Sequence, residues 1–403
     1  MIKKKLKNGL TIIHEPRKTD SVAIEINIKT GSINETNQTN GISHFIEHLV
    51  FKHTKNRTQK QLSSAIEDVG GTLNAFTDNE RTAFHAQVLK KHFNTALEIL
   101  SDIVLNPLFL EKDIEQERKV ILREMNMYED TPMIYQQVLL PNKLFQKHPL
   151  GNMIIGTKKS MNSITRKQIL DYYHKYYIPN NISIAVVGDI KSLFNKVEFF
   201  FRNIKSSKLL KSRLIKEPKI KKPILFTQKR KIENSYFSLG FKTISRSHKD
   251  SFVLDLINTI LGEGMSSRFF QEVREKRGLV YTIKSNNKFV NDIGYFEVYA
   301  GIKKEKIKEA KKVIFQEIRK LAKITTKELN QAKIKLEGNY LIDNEDNIHM
   351  ATLMNYWNTN TGKPEMAKIY PKYLEKVTTS SITRCIKTYF HPSSYAQVVI
   401  EEE

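Results

Sequence analysis

The sequence predicts an α+β protein made of two homologous domains, each with a largely antiparallel sheet and packed helices. Its 403 residues allow two or three domains, and 40% hydrophobic residues suffice for each to bury a core. Strand-type alternation, as in 82–89, is mixed with helical periodicity, as in 94–104 and 166–176. This mixed order favours α+β over a strictly alternating α/β fold.

The two halves share an order of elements at a constant offset. A Ser-Ile-Thr-Arg sequence near the end of each half is followed by aromatic residues, a proline and an apolar strand. The prolines, Pro179 and Pro392, are 213 residues apart. Lys29 and Lys242, which lie at the ends of two alternating strands, have the same separation of 213 residues. Two anchors at one offset predict a duplicated domain of roughly 200 residues.

A lysine-rich segment at 206–223 separates the two copies. It contains Pro218 and Pro223 and lacks sustained periodicity, which is typical of a linker. We therefore predict a first domain at residues 1–205, a linker at 206–223 and a second domain at 224–403.

Composition excludes several classes of protein. Cys385 is the one cysteine, so an intramolecular disulfide and a cysteine zinc cluster are both excluded. Residues 1–15 lack the apolar core of a signal peptide, and their first predicted strand is 10–14. Because no run of about 18 apolar residues occurs, we expect no membrane span and a cytoplasmic location.

The net charge of +23 raises the question of a polyanionic partner. The lysines are spread along the whole chain, and no groove-reading motif accompanies them. We therefore expect no specific nucleic-acid binding. A basic nucleic-acid-binding protein is kept as an alternative, which salt-sensitive DNA binding without proteolysis would favour.

Residues 41–49 predict a short helix, which Ser43 or an upstream polar residue could cap. His44 and His48 are four residues apart and therefore share one helix face, with Glu47 beside them. Imidazoles suit zinc, and an adjacent carboxylate can take a proton from water. This inverted His-x-x-Glu-His order is a known metallopeptidase signature. The alternative is two structural histidines on an amphipathic helix.

A hydrolytic zinc site needs a third protein ligand. The predicted helix at 113–128 offers Glu117 and Glu124, which are seven residues apart and face the same side. Spacing alone does not choose between these two glutamates.

Further motifs cover nearly the whole chain. They lie at 6–10, 41–49, 51–54, 70–77, 117–124, 148–151, 187–189, 264–268 and 274–281. Together they resemble the pitrilysin/insulinase family of inverzincins, in particular its branch of about 400 residues that includes mitochondrial processing peptidase and bacterial relatives. The resemblance implies two similar α+β domains that enclose a peptide chamber like a clamshell.

The resemblance also implies roles for individual residues. Glu124 is expected to be the third zinc ligand and Glu117 a supporting carboxylate. Arg274 and Tyr281, in the second half, are expected to grip substrate and polarise the scissile carbonyl. The second copy lacks the zinc motif near 257–261, so one zinc ion per chain is expected.

A substrate-binding strand is implied at 70–77. In relatives this edge strand pairs with an extended peptide, and Asn74, Ala75 and Phe76 occupy the corresponding positions here. Phe51 is expected to line an apolar pocket.

One departure concerns specificity. Relatives carry acidic residues where this chain has Met133, Ile134 and Val138, and mitochondrial processing peptidase uses nearby acidic groups to recognise arginine. An arginine-directed specificity is therefore not expected.

The sequence thus predicts a zinc-dependent endopeptidase of peptides or unfolded polypeptide segments, acting as a monomer or homodimer. The main alternative is a catalytically inactive homologue that serves as a structural partner. Such homologues lose the zinc motif or the Arg/Tyr pair, whereas this chain keeps both.

Overall fold

The computed structural model describes residues 1–208 and 215–403, which form two compact units, each with one sheet and packed helices. The predicted α+β class with two homologous domains is confirmed. Part of the predicted linker, residues 209–214, lies outside the described residues.

The strands of the described residues are β1 (Ile2–Lys5), β2 (Thr11–Glu15), β3 (Ser21–Ile28), β4 (Thr72–Thr77), β5 (Thr82–Leu89), β6 (Ile182–Val187), β7 (Ile224–Arg230), β8 (Ser235–Thr243), β9 (Val280–Phe289), β10 (Gly294–Ile302) and β11 (Ala396–Glu402). The α-helices are α1 (Ile42–Leu49), α2 (Gln59–Glu67), α3 (Phe93–Leu105), α4 (Glu111–Asp130), α5 (Pro132–Leu144), α6 (Lys158–Ser163), α7 (Arg166–Tyr176), α8 (Leu193–Phe201), α9 (Asp250–Gly262), α10 (Ile307–Leu321), α11 (Thr326–Asp343), α12 (Asn347–Thr361), α13 (Met366–Glu375) and α14 (Thr379–Tyr389).

The sheet of the first unit has the order β1-β2-β6-β3-β5-β4, and all its pairs are antiparallel except β2–β6. Every residue of β6 is buried, which explains its uninterrupted apolar sequence. The strand predicted at 10–14 is the second strand, because Ile2–Lys5 forms an exposed strand before it. The three lysines of β1 hide the alternation typical of a strand. Lysines also suit an edge strand, because they discourage pairing with other chains.

The sheet of the second unit has the order β7-β11-β8-β10-β9, again with a single parallel pair, β7–β11. This is the order of the first sheet without β1. The first residues of β2 and β7, Thr11 and Ile224, are 213 residues apart, as the repeat predicted. Strands β4 and β9 therefore correspond, and each is the last strand of its sheet.

The two units are not continuous in sequence. The first comprises Met1–Met125, the described part of 152–213, and Asp343–Lys368, and the remainder of the described chain forms the second. Helix α12 thus packs on β3 and β6, and α5 packs on β8 and β11. The packing departs from the linear boundaries predicted at 1–205, 206–223 and 224–403, because a helix's apolar face does not reveal which sheet it covers.

Polar contacts attach α12 to the first sheet. Asn355, which is fully buried, donates to Glu25 Oε1 at 3.0 Å, and Thr352 donates to Glu25 Oε2 at 2.5 Å. Because a buried carboxylate needs such donors, the position of α12 on the sheet is specific.

No helix in the described part of the chain is long and apolar enough to cross a membrane.

Candidate metal centre

The residue just before helix α1 is a glycine, whose backbone conformation disfavours any other residue. Gly41 has φ 94°, and a Cβ there would lie 2.6 Å from the carbonyl oxygen of Ile155. The Glu35 carboxylate accepts hydrogen bonds from the backbone N–H of Gly41 at 2.7 Å and of Ser43 at 2.9 Å. Glu35, which lies upstream of the helix, therefore caps the N-terminus of α1 in place of Ser43. The Ser43 hydroxyl instead contacts Tyr172 OH at 2.9 Å.

Helices α1 and α4 bring His44, His48 and Glu124 together. Glu124 Oε2 lies 3.9 Å from His44 Nε2 and 3.8 Å from His48 Nε2. One potential ligand atom from each residue lies within 4.8 Å of the other two. No second group of three His, Cys, Asp or Glu side chains with this property occurs among residues 1–208 and 215–403.

The donor set fits zinc. The nitrogen–oxygen separations are too long for hydrogen bonds but suit atoms that share an ion at about 2 Å from each. Burial, assisted by His48, lowers the pKa of His44 to about 3, so its imidazole is neutral as a ligand must be. His44 Nδ1 is buried and has no hydrogen-bond partner among the residues that the structure describes. Two imidazoles and one carboxylate leave a tetrahedral position open for catalysis.

Glu117 supports His48 from the side remote from this donor set. Its Oε2 lies 3.2 Å from His48 Nδ1, an arrangement that favours a proton on Nδ1 and leaves Nε2 to the metal. Burial alone would raise the pKa of Glu117, but the hydrogen bond with His48 and the contact with Lys52 lower it. Burial likewise opposes charge on His48, yet Glu117, Glu47 and Glu124 raise the pKa of His48.

The carboxylate of Glu47 is held by a residue that the sequence did not suggest. Thr77 Oγ1 donates to Glu47 Oε2 at 2.6 Å. Burial raises the pKa of Glu47 against the opposing effects of Thr77 and His48, and the charge of Glu124 raises it further. A raised pKa makes Glu47 a better proton acceptor. Thr77 is the last residue of the motif 70–77. In the sequence, only its hydroxyl group could have indicated a hydrogen bond to the proposed base.

The strand predicted to bind substrate, β4, is the last strand of the first sheet. The backbone N–H of Ala75 donates to the side-chain oxygen of Asn74 at 2.8 Å, and both residues are in this strand. The ring of Phe76 lies under the Arg81 guanidinium at 5.0 Å, and Phe51 packs at 5.9 Å from Phe84.

Arg274 and Tyr281 belong to the second unit. Arg274 lies in a π-helical segment, Phe270–Glu275, where its guanidinium stacks 4.7 Å from the Phe270 ring. Its Nε is 3.8 Å from Glu275 Oε1. Tyr281, in β9, is 51% exposed. Both side chains therefore present donors at the surface of their own unit.

Helix α9 is the counterpart of α1 and carries no metal ligands at the matching positions. His44, Glu47 and His48 correspond at the 213-residue offset to Ile257, Ile260 and Leu261. All three are buried, so this helix supplies core packing instead.

A separate cavity of about 780 Å³ lies in the first unit. Its walls include Tyr173, Phe199 and Asp102, and none of the predicted metal or catalytic residues lines it.

The fold and the site define a class: duplicated α+β proteins with an inverted-motif candidate metal centre in the first copy. The chain belongs to the insulinase family of peptidases, family M16, whose profile matches residues 11–158. The profile described as the M16 inactive domain matches residues 163–336.

Relatives support this assignment. The uncharacterized zinc protease YmxG of Bacillus subtilis is 35% identical over 84% of this chain and 83% of its own length. An uncharacterized zinc protease of Mycobacterium leprae is 33% identical over 91% of this chain and 82% of its own. A protease from Helicobacter pylori has a crystal structure with a TM-score of 0.92, 26% identity and 99% coverage of both chains. The fold is also that of an M16 inactive-domain protein from Pseudomonas fluorescens, with a TM-score of 0.87, 18% identity, and coverage of 100% of this chain and 98% of that one.

Proposed function

We propose that this chain is a zinc-dependent endopeptidase that hydrolyses peptides or unfolded polypeptide segments with one zinc ion per chain. The observation that carries the proposal is the convergence of His44, His48 and Glu124 beside Glu47. A zinc ion held by these three ligands supplies Lewis acidity, which makes water a nucleophile near neutral pH.

Glu47 is the proposed general base. Thr77 engages Oε2, so the other carboxylate oxygen accepts the proton of the attacking water and later delivers it to the leaving amine. The raised pKa of Glu47 favours both transfers.

Strand β4 is the proposed site for the peptide. An extended peptide that adds to this edge is bound mainly through backbone hydrogen bonds, which do not depend on its sequence. This mode of binding suits substrates that share no fixed sequence. Asn74, Ala75 and Phe76 hold it, and Phe51 lines an apolar subsite.

Arg274 and Tyr281 are proposed to stabilise the oxyanion that forms at the scissile carbonyl. The guanidinium N–H groups and the phenol O–H can both donate hydrogen bonds to an oxyanion. The exposure of Tyr281 supports a role toward substrate.

A structural partner without activity is the second candidate function. The description of the second profile as an inactive domain favours it, but that match covers 163–336, whereas all the proposed ligands lie within 11–158. Cytoplasmic location, a monomeric or homodimeric state and the absence of specific nucleic-acid binding stay predictions.

Cleavage of a mixed set of unstructured peptides, followed by mass spectrometry, tests the proposal. We expect cleavage by the zinc-loaded protein, loss with a chelator and recovery with added zinc. Glu47→Gln should lower the rate by about 10²–10⁴-fold and leave zinc binding intact, because it removes the base and no ligand. Glu67→Gln, on the exposed face of α2, is the matched control. Persistent cleavage by Glu47→Gln would refute the base, and zinc binding without any cleavage would favour the structural partner.

A further inference from the structure

Lys52, just after α1, forms an ion pair with the carboxylate that supports His48. Its Nζ lies 2.6 Å from Glu117 Oε1, and the two side chains are only 15% and 4% exposed. Glu117 therefore divides its oxygens, with Oε1 toward Lys52 and Oε2 toward His48 Nδ1. Lys52 thus reaches the proposed ligand His48 only through Glu117.

The next residue makes a second contact with the same helix. His53 Nδ1 lies 2.7 Å from Asp113 Oδ2, and Asp113 precedes Glu117 by four residues, or one turn of α4. The Lys52–His53 dipeptide thus contacts α4 at two successive turns. Glu124 lies two further turns along the same helix face, so these contacts also define where Glu124 stands.

Charge explains why Lys52 matters more than an ordinary surface lysine. A carboxylate as buried as Glu117 is costly without a counter-charge, and removal of one partner of a buried pair leaves the other uncompensated. A displaced Glu117 would no longer accept the hydrogen bond from Nδ1 of His48. The imidazole would then lose both its orientation and its preferred tautomer.

We propose that Lys52 is a positioning residue of the metal centre, which raises zinc affinity by holding Glu117 against Nδ1 of His48. The inference rests on the proposed zinc site and adds to it a residue that touches neither metal nor substrate.

The zinc affinity of the metal-free full chain, measured by competition with a chromogenic chelator, tests this role. We expect Lys52→Met to weaken zinc binding by about 10–100-fold, the usual effect of removing an outer partner of a ligand. Lys52→Arg, which keeps the charge, should recover part of the affinity. Lys55→Met, at an exposed lysine three residues away, is the matched control and should bind zinc like the wild type.

A double-mutant comparison separates positioning from general destabilisation. If Lys52 acts through Glu117, Lys52→Met should have little further effect on zinc affinity in a Glu117→Gln background. Thermal unfolding of each metal-free variant reports whether it is folded, and Lys52→Gln provides a second neutral variant. Zinc affinity within twofold of the wild type in a folded neutral variant would overturn the inference, as would an equal loss in both backgrounds. Failure of the wild type to bind zinc would instead overturn the proposed function.

Discussion

Thr77 holds the carboxylate of Glu47, the proposed general base, through its hydroxyl. The hydrogen bond from Thr77 Oγ1 fixes Oε2, and with it the direction of the remaining oxygen. Thr77 also ends β4, so the strand proposed to bind the peptide and the proposed base are joined at one residue.

Replacement of Thr77 by valine, which keeps the shape and removes the donor, should lower kcat by about 10–100-fold and leave KM nearly unchanged. A hydrogen bond to a charged group contributes about 1.5–3 kcal/mol, which corresponds to that range. Steady-state kinetics on one peptide would measure it, with zinc affinity as the control. Thr77→Ser should restore most of kcat, and a serine variant as slow as the valine variant would contradict the role.

At the level of residues, local spacing predicted His44, Glu47 and His48 because one helix brings them together. Glu35, Lys52 and Thr77 could not be predicted in this way. Lys52 meets Glu117, and Thr77 meets Glu47, only after the chain has folded back, and both residue types are common at solvated surfaces.

Among the elements, β4 offers a direct test of peptide binding. Asp78 N–H donates to Arg81 O, and hydrogen-bonded and non-hydrogen-bonded pairs alternate along β4 and β5 from that pair. The Ala75–Phe84 pair is then non-hydrogen-bonded, so the Ala75 N–H faces away from β5, where the Asn74 side chain accepts from it. It is a donor on the open edge of the sheet, where an added strand would bond.

Ala75→Pro removes this donor and should raise KM for peptides by about tenfold, the value of roughly one backbone hydrogen bond. Zinc affinity and the unfolding temperature should change little, since proline is tolerated on edge strands whose N–H faces outward. Asn74→Ala, which keeps the backbone donor, is the comparison variant. An unchanged KM in a folded Ala75→Pro protein would argue against pairing at β4.

Periodicity predicted several of the strands and helices correctly. The strand at 82–89 and the helix at 166–176 occur at the predicted residues, and the helix predicted at 113–128 extends to Glu111–Asp130. Strand β1 was missed, because a lysine-rich strand exposed along its whole length shows no apolar alternation.

In the whole molecule, each sheet is covered by a helix that lies far from it in sequence order. Helix α12 comes from the second copy and covers the first sheet, whereas α5 comes from the first copy and covers the second. A chain cut between the copies would expose the buried Glu25 and its apolar surroundings.

We therefore expect residues 1–208 alone not to unfold cooperatively or to bind zinc with the affinity of the full chain. Addition of 343–368 through a Gly/Ser linker should restore cooperative unfolding, because this segment returns α12 to β3 and β6. Calorimetry and the chelator competition would measure both properties. Cooperative unfolding of 1–208 by itself would show that α12 is dispensable for the first unit.

The sequence by itself determined the duplication, the α+β class and the candidate metal ligands of α1, because repeats, periodicity and helical spacing are local properties of a chain. The tertiary structure decided that Glu35 caps α1 and that Lys52 and Thr77 support the candidate site. It also decided that α5 packs on the second sheet and α12 on the first. These contacts join residues that only packing brings together, and packing depends on the complementarity of whole surfaces and not on any local pattern.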